Sequence, residues 1–127
     1  MRKFYAIFFL IALTVLFLPI NSAKANDVWV DHWKSENVDI YVIDNTISSG
    51  ESNNGRYFKV SVKEVTNGRL QRIVKWDFSQ FESGMWRYET DTMRVSRTTP
   101  VIPRSGIFEF CMNRLGWSYR NTGNYYY

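Results

Sequence analysis

The clearest alternation in the chain is Phe58-Lys59-Val60-Ser61-Val62-Lys63. Phe58, Val60 and Val62 point one way and Lys59, Ser61 and Lys63 the other, which predicts a half-buried strand of an antiparallel sheet. Asn67-Gly68 follows, the favoured pair for a two-residue hairpin turn. The partner strand is then expected over Leu70–Phe78, with Leu70, Val74, Trp76 and Phe78 on its inner face, Arg72 interrupting them and Ile73 opposite. Upstream, Val28–Trp33 alternates, and Val38–Ile43 is rich in β-branched residues. Asp44–Gly55 is dominated by Asn, Ser and Gly and reads as loop. Downstream, Met85–Glu89 starts a further strand, with Trp86 and Tyr88 on one face, and Met93–Arg97 is a short last one. Pro100 and Pro103 keep Thr98–Ser105 out of a sheet interior.

The period then changes. Ile107, Phe108, Cys111, Met112 and Leu115 form one apolar stripe at helical spacing. Ser105 is a plausible N-cap, Pro103 an alternative start, and Gly116 a stop. One amphipathic helix has to cover something, and only the sheet offers an apolar face. The expected fold class is α+β: an antiparallel sheet of five or six strands with one C-terminal helix packed on one face.

The first 25 residues break this pattern. Arg2 and Lys3 precede an apolar run over Phe4–Leu18, interrupted only by Thr14, and Ala23-Lys24-Ala25 follows. A positive end, a run of about 15 apolar residues and small residues at −3 and −1 define a secretory signal, and the run is shorter than the roughly 20 of a membrane span. Cleavage after Ala25 is expected. The domains are therefore residues 1–25, a signal peptide, and residues 26–127, one small exported domain with an aromatic tail. The protein is expected to be secreted, periplasmic or at the cell surface, meeting the membrane only through the signal segment during export.

Charge changes meaning once that segment is set aside. Of 16 Lys and Arg, the segment holds Arg2, Lys3 and Lys24, which leaves 13 against 12 Asp and Glu, a net charge of +1. Binding driven by bulk positive charge is excluded, so nucleic acid is not an expected partner. Cys111 is the single cysteine, so an intrachain disulfide is excluded, as fits a bacterial exported protein.

Little in the chain points to chemistry. His32 is the only histidine, and it neighbours Asp31 on a strand, where adjacent side chains face opposite ways. Neither a catalytic site nor a metal site is expected there, and no cofactor is implied. Cys111 lies on the apolar stripe, where an inert buried thiol is expected. The acidic residues show no spacing that pairs two carboxylates, and Asp44–Gly55 has no calcium-loop pattern. The prominent feature is aromatic content: 17% of the chain, with five Trp, and Tyr125-Tyr126-Tyr127 at the end. Trp76 and Trp86 read as core. Trp29, Trp33, Trp117, Tyr125, Tyr126 and Tyr127 are the candidate contact residues, because aromatics that a core does not consume make binding surfaces. Arg94, Arg97 and Arg104 read as a solvated basic cluster, and the polar sheet face around Lys59 and Lys63 is the fallback surface.

The order of these elements resembles a known group. The Trp-Val opening strand, Asp39-Ile40-Tyr41-Val42-Ile43-Asp44-Asn45-Thr46-Ile47, the Phe58–Lys63 strand, Trp86-Arg87-Tyr88 and the helix around Phe108-Glu109-Phe110-Cys111 look like small exported bacterial domains of the surface-adhesin protein E type. The likeness spans most of residues 28–115. The spacing from Tyr41 to Asp44 is one residue longer than in that pattern, and the lipid-attachment cysteine of some relatives is absent. The resemblance implies binding to host matrix proteins and transfers no binding residue. The expected function is a non-enzymatic exported module that recognises an extracytoplasmic protein or glycan. The alternative is an envelope-associated structural or assembly subunit that pairs through a sheet edge or the tail. An enzyme or an enzyme inhibitor is the third class.

Overall fold

The computed structural model describes residues 26–94 and 97–127. Among the described residues seven strands form one sheet: β1 (Asp27–Trp33), β2 (Val38–Ile43), β3 (Ser48–Ser52), β4 (Gly55–Thr66), β5 (Arg69–Gln80), β6 (Trp86–Thr90) and β7 (Thr99–Pro100). A 3-10 turn at Asp44–Thr46 separates β2 from β3, and the helix α1 spans Gly106–Leu115. The sheet order is β1-β2-β4-β5-β6-β7, with β3 also paired to β4, and every pairing is antiparallel. The fold is α+β, an antiparallel sheet with a single C-terminal helix.

The β4–β5 hairpin is the spine. Val60 faces Trp76, Val62 faces Val74 and Phe58 faces Phe78. Asn67 and Gly68 both have positive φ, 51° and 76°, the geometry that a tight hairpin turn demands and that Gly tolerates best. Near the turn the register slips. Glu64 pairs with Arg72 but Val65 pairs with Leu70, so Gln71 is extra. This bulge turns Leu70 to the opposite face, where it is 53% exposed, and corrects the expectation that it joins the core. Arg72 interrupts the inner face for a reason: its Nε donates to Glu64 Oε1 at 3.0 Å, and Glu64 is buried at 7% exposure.

Asp44–Gly55 is not a loop. Ser48–Ser52 pairs with Gly55–Lys59 as β3, along the same edge of β4 that β2 occupies further on. Between them, Thr46 Oγ1 accepts from Ser61 N at 2.9 Å and donates to Ile43 O at 2.6 Å, satisfying backbone groups at the break. The segment Ser-Ser-Gly-Glu-Ser carries no apolar alternation because it lies outside the core, with the Tyr57 ring laid over Gly50 as its side-chain contact. Its backbone ladder holds it, with Ser52 Oγ donating to Gly55 O at 3.2 Å. Thr99–Pro100 lies at the opposite edge, where a residue without an N–H costs the ladder nothing. Of the strand expected over Met93–Arg97, Val95 and Ser96 lie outside the described residues, and Met93 and Arg94 are not in a strand.

Helix α1 covers the inner face of the sheet. Ser105 is its N-cap and Oγ accepts from Phe108 N at 3.2 Å, while Gly116 closes it with its N–H on Asn113 and Met112 carbonyls. Phe108, Cys111 and Met112 are fully buried against Ile40, Val42, Phe58, Val62, Phe78 and Trp86. Gly106 sits so close to β1 that a Cβ there would stand 2.4 Å from the Val30 carbonyl oxygen, so only glycine lets the helix start at this place.

The chain end folds back on itself. Arg120 and Tyr127 exchange both backbone hydrogen bonds, at 2.7 and 2.9 Å, and Trp86 N donates to Tyr126 O at 2.9 Å. The Tyr126 ring is fully buried, 4.4 Å from the centroid of Phe108. Its hydroxyl accepts from Ser105 N and donates to Glu109.

Candidate functional site

The six candidate contact residues separate into different environments. Tyr126 is a core residue, which corrects its place among the contact residues: the tail hairpin turns its ring inward, between Phe108 and Tyr119. Tyr125 is exposed, and Tyr127 is half-buried with the Arg120 guanidinium over its ring. Trp117 packs on Phe58 and Trp86, with the Arg56 guanidinium 4.7 Å from its ring centroid. Trp29 stands on the outer sheet face, 54% exposed. Trp33 alone opens into a cleft.

That cleft lies where the inner face meets the segment leading into α1. Its volume is about 180 Å³. Trp33 from β1, Trp76 from β5 and Tyr88 from β6 form an aromatic wall, and Pro100–Ile102 with Ile107 closes the other side. The Trp33 and Trp76 rings stand at 59° with centroids 6.3 Å apart, so they meet as a corner, and Tyr88 stacks on Trp76 at 4.9 Å. All three are half-buried and pack against the core, so Trp76, which reads as core, also faces the cleft. The Nε1 of Trp76 is buried with no hydrogen-bond partner among the described residues. The lining carries one charge of each sign, Asp31 and Arg104, and Arg104 is exposed as expected of the basic cluster. The two form no ion pair with each other among the described residues. Ile102, 68% exposed, adds an apolar shoulder.

Sequence reasoning named Trp33 and missed Trp76 and Tyr88 as its companions. A signal was available, since all three fall on the inner-facing set. What brings them to one open corner is the course of Pro100–Ser105, a tertiary placement that no local pattern announces.

A second polar cluster lies on the outer face. The pairing of β1 with β2 slips between Trp29 and Asp31, and this bulge puts both Trp29 and His32 beside Asp39. Asp39 Oδ1 accepts from Trp29 Nε1 at 3.0 Å and lies 3.0 Å from His32 Nδ1. The indole hydrogen bond first, and the imidazole second, hold the Asp39 carboxyl below its usual range. The carboxylate that orients His32 is thus the cross-strand Asp39 and not its neighbour Asp31, which accepts from the His32 backbone N–H at 2.8 Å. Among the described residues no group of three His, Cys, Asp or Glu side chains is placed to hold a metal ion. Cys111 is fully buried, and burial, with the Asp44 charge second, pushes its thiol up to about 12. No family model, curated protein or solved structure matches this chain.

Proposed function

We propose that this protein is an exported, non-enzymatic, adhesin-like binding module whose ligand enters the aromatic cleft beside α1. One observation carries this reading. Three aromatic rings on the inner face stop short of full burial and line an open cavity with two opposite charges in its lining. Ligand sites are concave, largely apolar, and carry a few convergent polar groups. The extracytoplasmic ligand class is a protein or a glycan.

The alternative, an assembly subunit pairing through an edge or the tail, fits the geometry less well. The β1 edge carries a bulge and the β7 edge has only two residues, one of them Pro100, features that blunt strand addition, which leaves β3, five residues paired on one side only, as the free edge such a subunit would use. The tail commits Tyr126 to the core.

Trp33→Ala tests the reading. The wild-type protein is expected to retain a partner from the medium surrounding the producing cells, and the variant to lose it while its thermal melt stays cooperative. Equal retention by both removes the cleft from the function. Export is tested by intact mass of the extracytoplasmic form, expected to begin at Asn26. A mass matching all 127 residues overturns cleavage.

A further inference from the structure

We infer that the cleft takes a quaternary-ammonium zwitterion of the phosphocholine type, its ammonium in the corner of Trp33 and Trp76 beside Asp31 and its phosphate toward Arg104. The inference rests on the binding-module reading and names the chemistry of that site.

The shape comes first. Two indole rings meeting at 59°, with a phenol stacked on one of them, make the corner of an aromatic cage. Cations are attracted to ring faces, and a methylated ammonium loses less hydration than a primary one when it enters such a corner. A volume of about 180 Å³ admits one small headgroup rather than an extended chain.

The charges narrow the choice further. Asp31 in the lining opposes a simple anion and favours a cation against the rings. Arg104, on the segment that enters α1, favours an anion. Ser105 and Ile107, at the start of α1, also line the cleft. Because Asp31 and Arg104 do not pair with each other, both charges remain for a ligand that carries both. A primary ammonium needs several hydrogen-bond acceptors, and the aromatic and aliphatic walls supply few. A quaternary ammonium needs none. The same headgroup occurs on lipids and on glycan or soluble conjugates.

Titration of the purified protein with phosphocholine, read by tryptophan fluorescence and calorimetry, tests this. Saturable binding is expected, with phosphoethanolamine weaker by about tenfold or more. Asp31→Asn should weaken choline and phosphocholine alike, whereas Arg104→Gln should weaken phosphocholine and leave choline unchanged. Both replacements lie in the cleft lining, and a melt matching the parent confirms the fold. Co-sedimentation with phosphatidylcholine vesicles assigns the headgroup to a lipid. Binding of soluble phosphocholine without vesicle binding assigns it to a glycan or soluble conjugate. Equal binding of phosphoethanolamine, equal sedimentation with phosphatidylglycerol vesicles, or no phosphocholine binding overturns the inference. If phosphocholine fails while Trp33→Ala still abolishes partner retention, only the ligand class falls. If Trp33→Ala retains the partner as well, the binding-module reading falls too.

Discussion

The same kind of side chain has two fates on the inner face of the sheet. Around Phe108, the rings of Phe58, Trp86 and Tyr126 are fully buried and pack against one another at 4.4–6.1 Å. Around the start of α1, Trp33, Trp76 and Tyr88 remain half-buried at a cleft. The difference lies in what the chain lays over them. The returning tail fills the first region with Tyr126, while over the second the chain passes to one side, along Pro100–Ser105. Aromatic content alone therefore cannot mark a binding surface, because coverage by another segment decides.

The largest effect expected is on the closed region. Phe108→Ala should cost about 3–5 kcal/mol, the usual range for deleting a fully buried aromatic side chain. Urea melts of variant and parent measure it, and coincident curves would mean that α1 does not cover the sheet. Truncation after Asn124 should cost about 2–4 kcal/mol, because it removes the Tyr126 ring and leaves Phe108 beside a void. A truncated chain that melts like the parent would dissolve the contrast between the two regions.

Smaller effects sharpen it. Tyr126→Phe keeps the ring and removes the hydroxyl that links Ser105 and Glu109, for a loss of about 1 kcal/mol. This hydroxyl also sets a pH dependence. Burial first, and the Glu109 carboxylate after it, raise its pKa above the ordinary value of 10.0. Its contribution is present in full below pH 10 and is lost as the pH climbs toward the raised folded value, because ionisation then favours the unfolded chain. Tyr126→Phe should flatten the alkaline limb of a stability curve. An unchanged limb would place that hydroxyl in water. The smallest effect is expected at Asp39. Its lowered pKa makes its contribution complete above the ordinary carboxylate value of 3.8 and lost as the pH falls through the folded value. Asp39→Asn should shrink the acid-side loss in thermal melts, and an identical acid limb would mean that Trp29 and His32 do not hold the carboxylate in solution.

Where local rules and tertiary placement agreed, the fold was legible from residues alone. The β4–β5 hairpin announces itself through alternation and Asn-Gly, and α1 through its stripe between Ser105 and Gly116. Legibility failed where a strand lacks an inner face or a bulge changes parity. Ser48–Ser52 pairs through its backbone ladder without an apolar face, so its side chains show no alternation. Leu70 was misplaced because Gln71 is an extra residue, and one extra residue reverses every face that follows. Of the cleft, Trp33 was legible as an aromatic without evident core duty. Asp31, Arg104, Trp76 and Tyr88 were not, since their meeting depends on how α1 is set against β1.

That setting rests on Gly106. β1 is an edge strand bonded to β2 alone, and the carbonyl of Val30 lies where a Cβ on Gly106 would need to go. A single hydrogen atom is thus the spacer that gauges the distance between helix and strand, and with it the bite of the jaw that Trp33 and Ile107 form. Gly106→Ala would act as a shim of one methyl group, pressing on the Val30 carbonyl and on Asp31 and prising the jaw wider. Ligand affinity would then report a backbone dimension, with the lining residues held constant.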